Sequence, residues 1–353
     1  MSGQGGAAPQ VHLVGSVPCA DAETVFRTVA GRLGPHLRRL PDGETGKRVR
    51  WVGFVHDKLC ANPAFEVDHS IPPFPFRQWD GRILWEIQRL KFRHDVDPKG
   101  VGFDTGYADD AIRSFAVFDR LQREGVVPEE VRFQVSIASP LAVTYMYLAP
   151  RARDAFTAVY RDHLEAEVAK ICAAIPHDRL AVQWDVCQEV LAWEGYYDDE
   201  GDVKGRTLAV LGHVGDAVPE GVDLGYHLCY GSPKDEHLVQ PKDMGVLVQI
   251  ANGIGRAVRR PVSYIHMPVP KARNDEDYFR PLAALDLPQG TALYLGLVHD
   301  GDAAGSAAKL ALARKYADIA GIAAECGLGR GDPARLASVL ETHAACARAA
   351  TAS

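Results

Sequence analysis

No segment of this chain has the length and apolar character of a membrane span. The run Leu141 to Ala149 (LAVTYMYLA) is too short and carries hydroxyl groups, whereas a spanning helix needs about 20 apolar residues. The start, MSGQGGAAPQ, lacks the charged-then-apolar order of a secretory leader. It reads as a disordered tail over residues 1–10, so the expected compartment is the cytoplasm and no membrane partner is expected. Excess positive charge is missing as well: 39 Lys and Arg stand against 46 Asp and Glu, a formal charge of -7. A nucleic-acid partner, which calls for a basic surface, is therefore not expected. The short basic clusters at His36 to Arg39, at Lys47 to Arg50, and at Arg256, Arg259 and Arg260 read as solvated faces or helix ends. The first two flank a loop where an anion could meet them. The 7 cysteines are odd in number and scattered, which argues against a disulfide framework. Cys60, Cys172 and Cys346, with helix-like neighbours, read as small buried hydrophobes. A glycine-rich phosphate loop is absent too, since LVGSVP has one glycine and then a proline, and this speaks against an open dinucleotide-binding sheet.

What is present is a repeated unit of short apolar strand, loop and amphipathic helix. Hydrophobic residues make up 47% of the chain and charged residues 24%, enough to bury a large core. Eight strands are read at residues 11–15, 37–40, 131–137, 180–186, 223–229, 262–266, 292–298 and 322–326. Helices are read at 22–33, 109–124, 152–174, 205–217, 241–257, 275–285, 304–320 and 333–348. Eight strands, each followed by helical material, predict an α/β fold of the (β/α)8 TIM-barrel type. Residues 11–350 would form one domain. The stretch 47–127 breaks the repeat and reads as an insertion after strand two, folded over the barrel mouth.

In such barrels the active site surrounds the C-terminal ends of the strands, and here nearly every strand ends in a polar residue. In YHLCY, His227 and Cys229 are two apart on an extended segment, so both side chains can face the mouth. Imidazole and thiolate are both zinc donors. Alone, the pair could equally be a buried cysteine beside a hydrogen-bonded histidine. Cys326, in ECGLG at the end of strand eight, supplies a third donor from another side of the barrel. PDGETG after strand two is a strong turn signal. It also places Asp42 and Glu44 at the mouth, where they could hold substrate or accept a proton. Asp185 ends an otherwise apolar strand and must be paired or exposed at the mouth. Glu189 either sits beside it or caps the next loop. Ser16 and Ser139 end two further strands. Trp193 and Tyr196 could wall a pocket, whereas Trp184 and Tyr197 read as packing. His299 is a candidate proton carrier with Asp300 next to it, and Asp302 reads as a helix N-cap.

With these motifs the chain resembles the cobalamin-independent methionine synthases, in particular their C-terminal catalytic barrel, within the wider barrel superfamily shared with uroporphyrinogen decarboxylases. LVGSVP is similar to that family's opening motif, LAVQWDVCQE to its strand with a substrate-facing acid, LGYHLCY to its metal-binding His-x-Cys, and AAECGLGR to its last metal cysteine. The resemblance runs from about residue 15 to 330. It implies a barrel that binds zinc and transfers a methyl or alkyl group to a thiol. It also implies that His266, in PVSYIH, stands where the family has a ligating glutamate and would be the fourth donor beside His227, Cys229 and Cys326. The alternative for His266 is a hydrogen bond to substrate with water in the fourth position. Other positions depart from the family: LVHDGD replaces the segment with the catalytic histidine, and Val186 and Cys187 replace a glutamate and a proline after Asp185.

The expected catalytic groups are thus His299, Asp185, Asp42 and Glu44. The expected substrate contacts are Ser16, Ser139, Glu189, Trp193 and Asp300, and the cofactor is Zn2+. The expected activity is zinc-dependent methyl or alkyl transfer involving a small thiol, other than methionine synthesis. A zinc-dependent lyase or hydrolase acting on a small polar metabolite is the alternative enzyme. A non-catalytic metal-binding or small-molecule-binding protein is the third reading. A homodimer is compatible with the sequence.

Overall fold

The computed structural model describes residues 9–198, 201–233 and 236–349. Of the tail expected over residues 1–10, residues 1–8 lie outside the described residues, and Gln10 already belongs to a strand. In chain order the strands are β1 Gln10–His12, β2 Arg39–Pro41, β3 Phe65–Val67, β4 Phe74–Arg77, β5 Ile83–Ile87, β6 Leu90–Phe92, β7 Arg132–Ala138, β8 Leu180–Val186, β9 Asp223–Leu228, β10 Tyr264–Pro268, β11 Ala292–Gly296 and β12 Gly321–Ala323. Eight of them form one parallel sheet in the order β1-β12-β11-β10-β9-β8-β7-β2. Two single bridges, Val11 with Leu37 and Ser16 with Gly43, join its ends. The result is a nearly closed (β/α)8 barrel. The insertion after β2 adds two antiparallel pairs, β3 with β6 and β4 with β5. Among the described residues no helix is long and apolar enough to cross a membrane.

The strand pattern explains both faces of the barrel wall. In β8, Leu180, Val182, Trp184 and Val186 alternate with Ala181, Gln183 and Asp185, and all seven are buried, as expected of a strand covered on both sides. The large apolar set packs against the helices, and each such side chain, once buried, contributes about 1.5–3 kcal/mol. The inward set is polar, and it pairs within the barrel. His12 Nε2 lies 2.9 Å from Gln183 Oε1, and the Arg39 guanidinium sits 3.9 Å from the Tyr264 ring centre. Gly225 makes room for that ring, since a Cβ there would fall on it.

Several elements differ from the sequence reading. The last strand ends at Ala323, so Cys326 lies on the loop beyond it, where the Leu328 amide donates to the Ser16 carbonyl at 2.7 Å and turns the chain away. The helix expected over 304–320 is Ala303–Ala313. Helices at Gly53–Ala61, Pro140–Tyr147 and Gln188–Trp193 were not expected. Pro140–Tyr147 is buried on every side, so it has no polar stripe by which periodicity would reveal it.

Candidate metal centre and active-site cavity

β9 delivers two donors from one face. His227 and Cys229 alternate at its C-terminal end, and the loop after β12 brings Cys326 to them. Cys326 Sγ lies 3.8 Å from both Cys229 Sγ and His227 Nε2. One donor atom from each of the three residues lies within 4.8 Å of the others. Hydrogen bonding from Cys229, the nearby Arg330 guanidinium and His227 together hold the Cys326 thiol well below the usual thiol range, against its burial. Contact with Cys187 and Cys326, together with burial, pushes the Cys229 thiol up. Without a metal, then, the pair gives up one proton readily and keeps the second. Two thiols and an imidazole at this spacing fit a borderline-soft ion such as zinc.

His266 stands outside this set, contrary to the expectation of a fourth donor. Its Nε2 faces the Ala324 carbonyl at 3.2 Å, and its Nδ1 faces His227 Nδ1 at 2.7 Å. A carbonyl only accepts, so His266 Nε2 carries a proton. Burial holds the His266 ring neutral, well below the usual histidine range, so its Nδ1 is bare and accepts from His227 Nδ1–H. His227 Nε2 is turned to the Cys326 sulfur, 3.8 Å away. Both His266 ring nitrogens thus have partners in this structure, His227 and the Ala324 carbonyl.

Beside the three donors opens a cavity of about 220 Å³, whose wall includes Glu44, Trp51, Trp85, Met146, Asp185 and Cys187. Trp51 and Trp85 come from the insertion. Asp185 accepts from Gln183 Nε2 at 2.9 Å and from Trp51 Nε1 at 3.2 Å. Burial raises Asp185 to about 6, opposed by His227 and these hydrogen bonds. Burial, then the neighbouring Asp185, pushes Glu44 well above the usual carboxylate range. Two such acids cannot both ionise cheaply. Glu44 itself has φ 47° and follows Gly43 at φ 80°, so the PDGETG turn aims it at the cavity. Ser16 also lines this cavity, and its Oγ accepts the Gly329 amide of the loop at 3.2 Å.

Other expected site residues are engaged elsewhere. Asp42 is clamped by Arg48 at 2.6 Å and by Ser114 at 2.7 Å, and it accepts the Glu44 amide. It shapes the turn, with neither oxygen left to take a proton from substrate. Ser139 caps Pro140–Tyr147 and donates to the buried Glu189, and neither lines the cavity. Trp193 packs under Lys204, 4.7 Å from its ammonium. His299 and Asp300 line a second cavity of about 260 Å³, which shares Ser232, Cys326 and Gly327 with the first. There Asp300 is held by Arg335 at 2.5 Å and by Ser338 at 2.6 Å. His299 Nδ1 lies 3.3 Å from Glu325, whose other oxygen is 2.5 Å from His237. Burial lowers His299 to about 4, and its Nε2 has no partner.

Trp51, Cys187, Glu325, His237 and Arg330 are site residues that the sequence reading passed over. Cys187 alone carried a signal, since it lies two residues beyond Asp185 on an alternating strand. Glu325 precedes Cys326 but reads as an ordinary loop acid.

No family model matches the sequence, and no curated protein matches it. Solved structures do. The chain is similar to a B12-independent methionine synthase from Shewanella described in complex with selenomethionine, at 14% identity and TM-score 0.64, covering 98% of each chain. It is also similar to a putative vitamin-B12 independent methionine synthase from Listeria monocytogenes, at 13% identity and TM-score 0.56, over 93% of this chain and 86% of that one. A methyltransferase from Methanosarcina mazei aligns at 12% identity and TM-score 0.57, over 97% and 94%. At these identities the shared property is the barrel fold.

Proposed function

We propose that this chain is a zinc-dependent enzyme that moves a methyl or alkyl group to or from a small thiol. In this reading it is a divergent relative of the cobalamin-independent methionine synthases. The observation that carries the proposal is the convergence of His227, Cys229 and Cys326 within 4.8 Å on the wall of a cavity that also holds two buried acids. These three residues would hold the ion, and zinc bound there supplies a Lewis acid that keeps a thiol ionised at neutral pH. The chain's own groups do the rest. Asp185, fixed by Gln183 and Trp51, and Glu44, fixed by its turn, offer hydrogen-bond acceptors that orient the polar end of a substrate. The protonated member of this acid pair can pass a proton to a leaving group. Trp51, Trp85 and Met146 exclude water. The adjoining cavity favours an enzyme over a purely structural metal site.

Purified from zinc-containing medium, the protein should carry about one zinc per chain. Cys326→Ser should lose most of it, as read by elemental analysis. Full zinc content in that variant sinks the site. Methyl transfer to homocysteine from methylfolate should be absent, because His266, Val186 and the LVHDGD segment stand in place of that family's residues. Robust methionine formation by mass spectrometry would overturn the substrate reading while leaving the metal centre in place.

A further inference from the structure

Three donors leave one position of a tetrahedral ion to be filled, and the groups that could fill it are mostly committed. His266 has both ring nitrogens engaged. Asp185 is held by Gln183 and Trp51, one on each oxygen, and its remaining acceptor positions are those offered to substrate. Cys187 differs from both. β8 and β9 are paired in register, Asp185 with His227 and Val186 with Leu228, and the Cys229 amide extends this ladder by donating to the Val186 carbonyl at 3.0 Å. The next step of the ladder sets Cys187 beside Cys229. On the alternating face that carries Asp185 and His227 inward, Cys187 and Cys229 are therefore the next inward pair. Cys187 is 5% exposed, lines the cavity together with all three donors, and lies with its thiol against that of Cys229.

A second observation concerns what Cys187 receives. Gln188 Nε2 points to Cys187 Sγ at 3.7 Å. The Gln188 amide is itself oriented, because its Oε1 takes the Tyr197 hydroxyl, which leaves the NH2 end for the sulfur. An oriented N–H donor of this kind is the usual partner of a metal-bound sulfur.

We propose that Cys187 is the fourth protein donor of the metal centre, giving a resting site of one imidazole and three sulfurs: His227, Cys229, Cys326 and Cys187. Its sulfur is not one of the three that lie within 4.8 Å of one another, so it would move towards them when the ion binds. The donor is placed on the cavity side, so a substrate thiol would enter at the position Cys187 occupies. The proposal rests on the metal centre proposed above.

The test uses the full chain loaded with zinc, with X-ray absorption at the zinc edge and competition against a chromophoric chelator. The wild type should fit three sulfurs and one imidazole. Cys187→Ala and Cys187→Ser should each fit two sulfurs and bind zinc about tenfold more weakly or worse. A wild-type spectrum with two sulfurs, or variants whose affinity stays within about twofold of the wild type, overturns the role of Cys187. Should both variants fail to fold, the wild-type sulfur count decides alone. A wild type that takes up no zinc overturns the metal centre itself, whereas zinc held by two sulfurs leaves that centre standing and removes only Cys187.

Discussion

A ring nitrogen that faces a carbonyl must carry a proton, and the Ala324 carbonyl thereby fixes the tautomer of the neutral His266 ring, whose other nitrogen meets His227 Nδ1. Replacing His266 by phenylalanine keeps the ring volume and removes the relay. The variant should still take up zinc, with affinity reduced about 10–100-fold in the chelator competition. Unchanged affinity would show that the relay does nothing, and an X-ray absorption spectrum of the wild type with two imidazoles would restore His266 as a ligand. The three donors were legible in the sequence because two of them share an alternating strand and the third follows another strand. The contact of His266 with His227 was not, since only the fold reveals which ring nitrogens already have partners. Asp42 was hidden in the same way. Its partner Arg48 is six residues on, but Ser114 comes from a helix of the insertion.

At the scale of elements, the C-terminal helix Leu336–Ala349 carries a buried histidine. His343 Nδ1 lies 2.8 Å from the Val339 carbonyl, and its Nε2 is buried without a partner. Burial lowers its pKa to about 4. The unfolded chain binds a proton near the ordinary histidine value, so it holds more protons than the fold between about 6.5 and 4. Stability from this group is therefore complete above that window and lost as pH falls through it. By pH 5 the loss should be about 2 kcal/mol relative to pH 7. In urea titrations His343→Leu should remove about that much from the acid sensitivity of the chain, and an acid limb identical to the wild type would refute the assignment. The main strands and their order were readable from apolar runs separated by helices. The small strands β3 to β6 were not, because their residues are half-buried and follow no sustained period. Nor was the end of β12, where the backbone leaves the sheet to meet Ser16.

At the scale of the whole molecule, the barrel interior carries charge and hydrogen bonds where many barrels stack branched aliphatic side chains. Arg39 is at its base, 2.9 Å from Asp223, with its guanidinium over Tyr264. Arg39→Ala removes the buried partner of Asp223 and should cost about 3 kcal/mol in urea unfolding. A cost under about 1 kcal/mol would mean that Arg132, 3.4 Å from the same carboxylate, satisfies Asp223 alone. Between β1 and β2 the wall is held by the bridges at Val11 and Ser16 instead of a continuous ladder. A hoop with one lightly fastened joint yields there before it yields elsewhere. The two edges of that joint bear Ser16 and, one residue past Gly43, Glu44. Breathing at this seam would widen or narrow the pocket beside one of its acids while His227 and Cys229, on a strand across the barrel, keep their separation. The Cys326 loop, tied to Ser16 through the Leu328 and Gly329 amides, would travel with the seam, so loosening of the doorway is felt at one of the three convergent side chains and not at the other two.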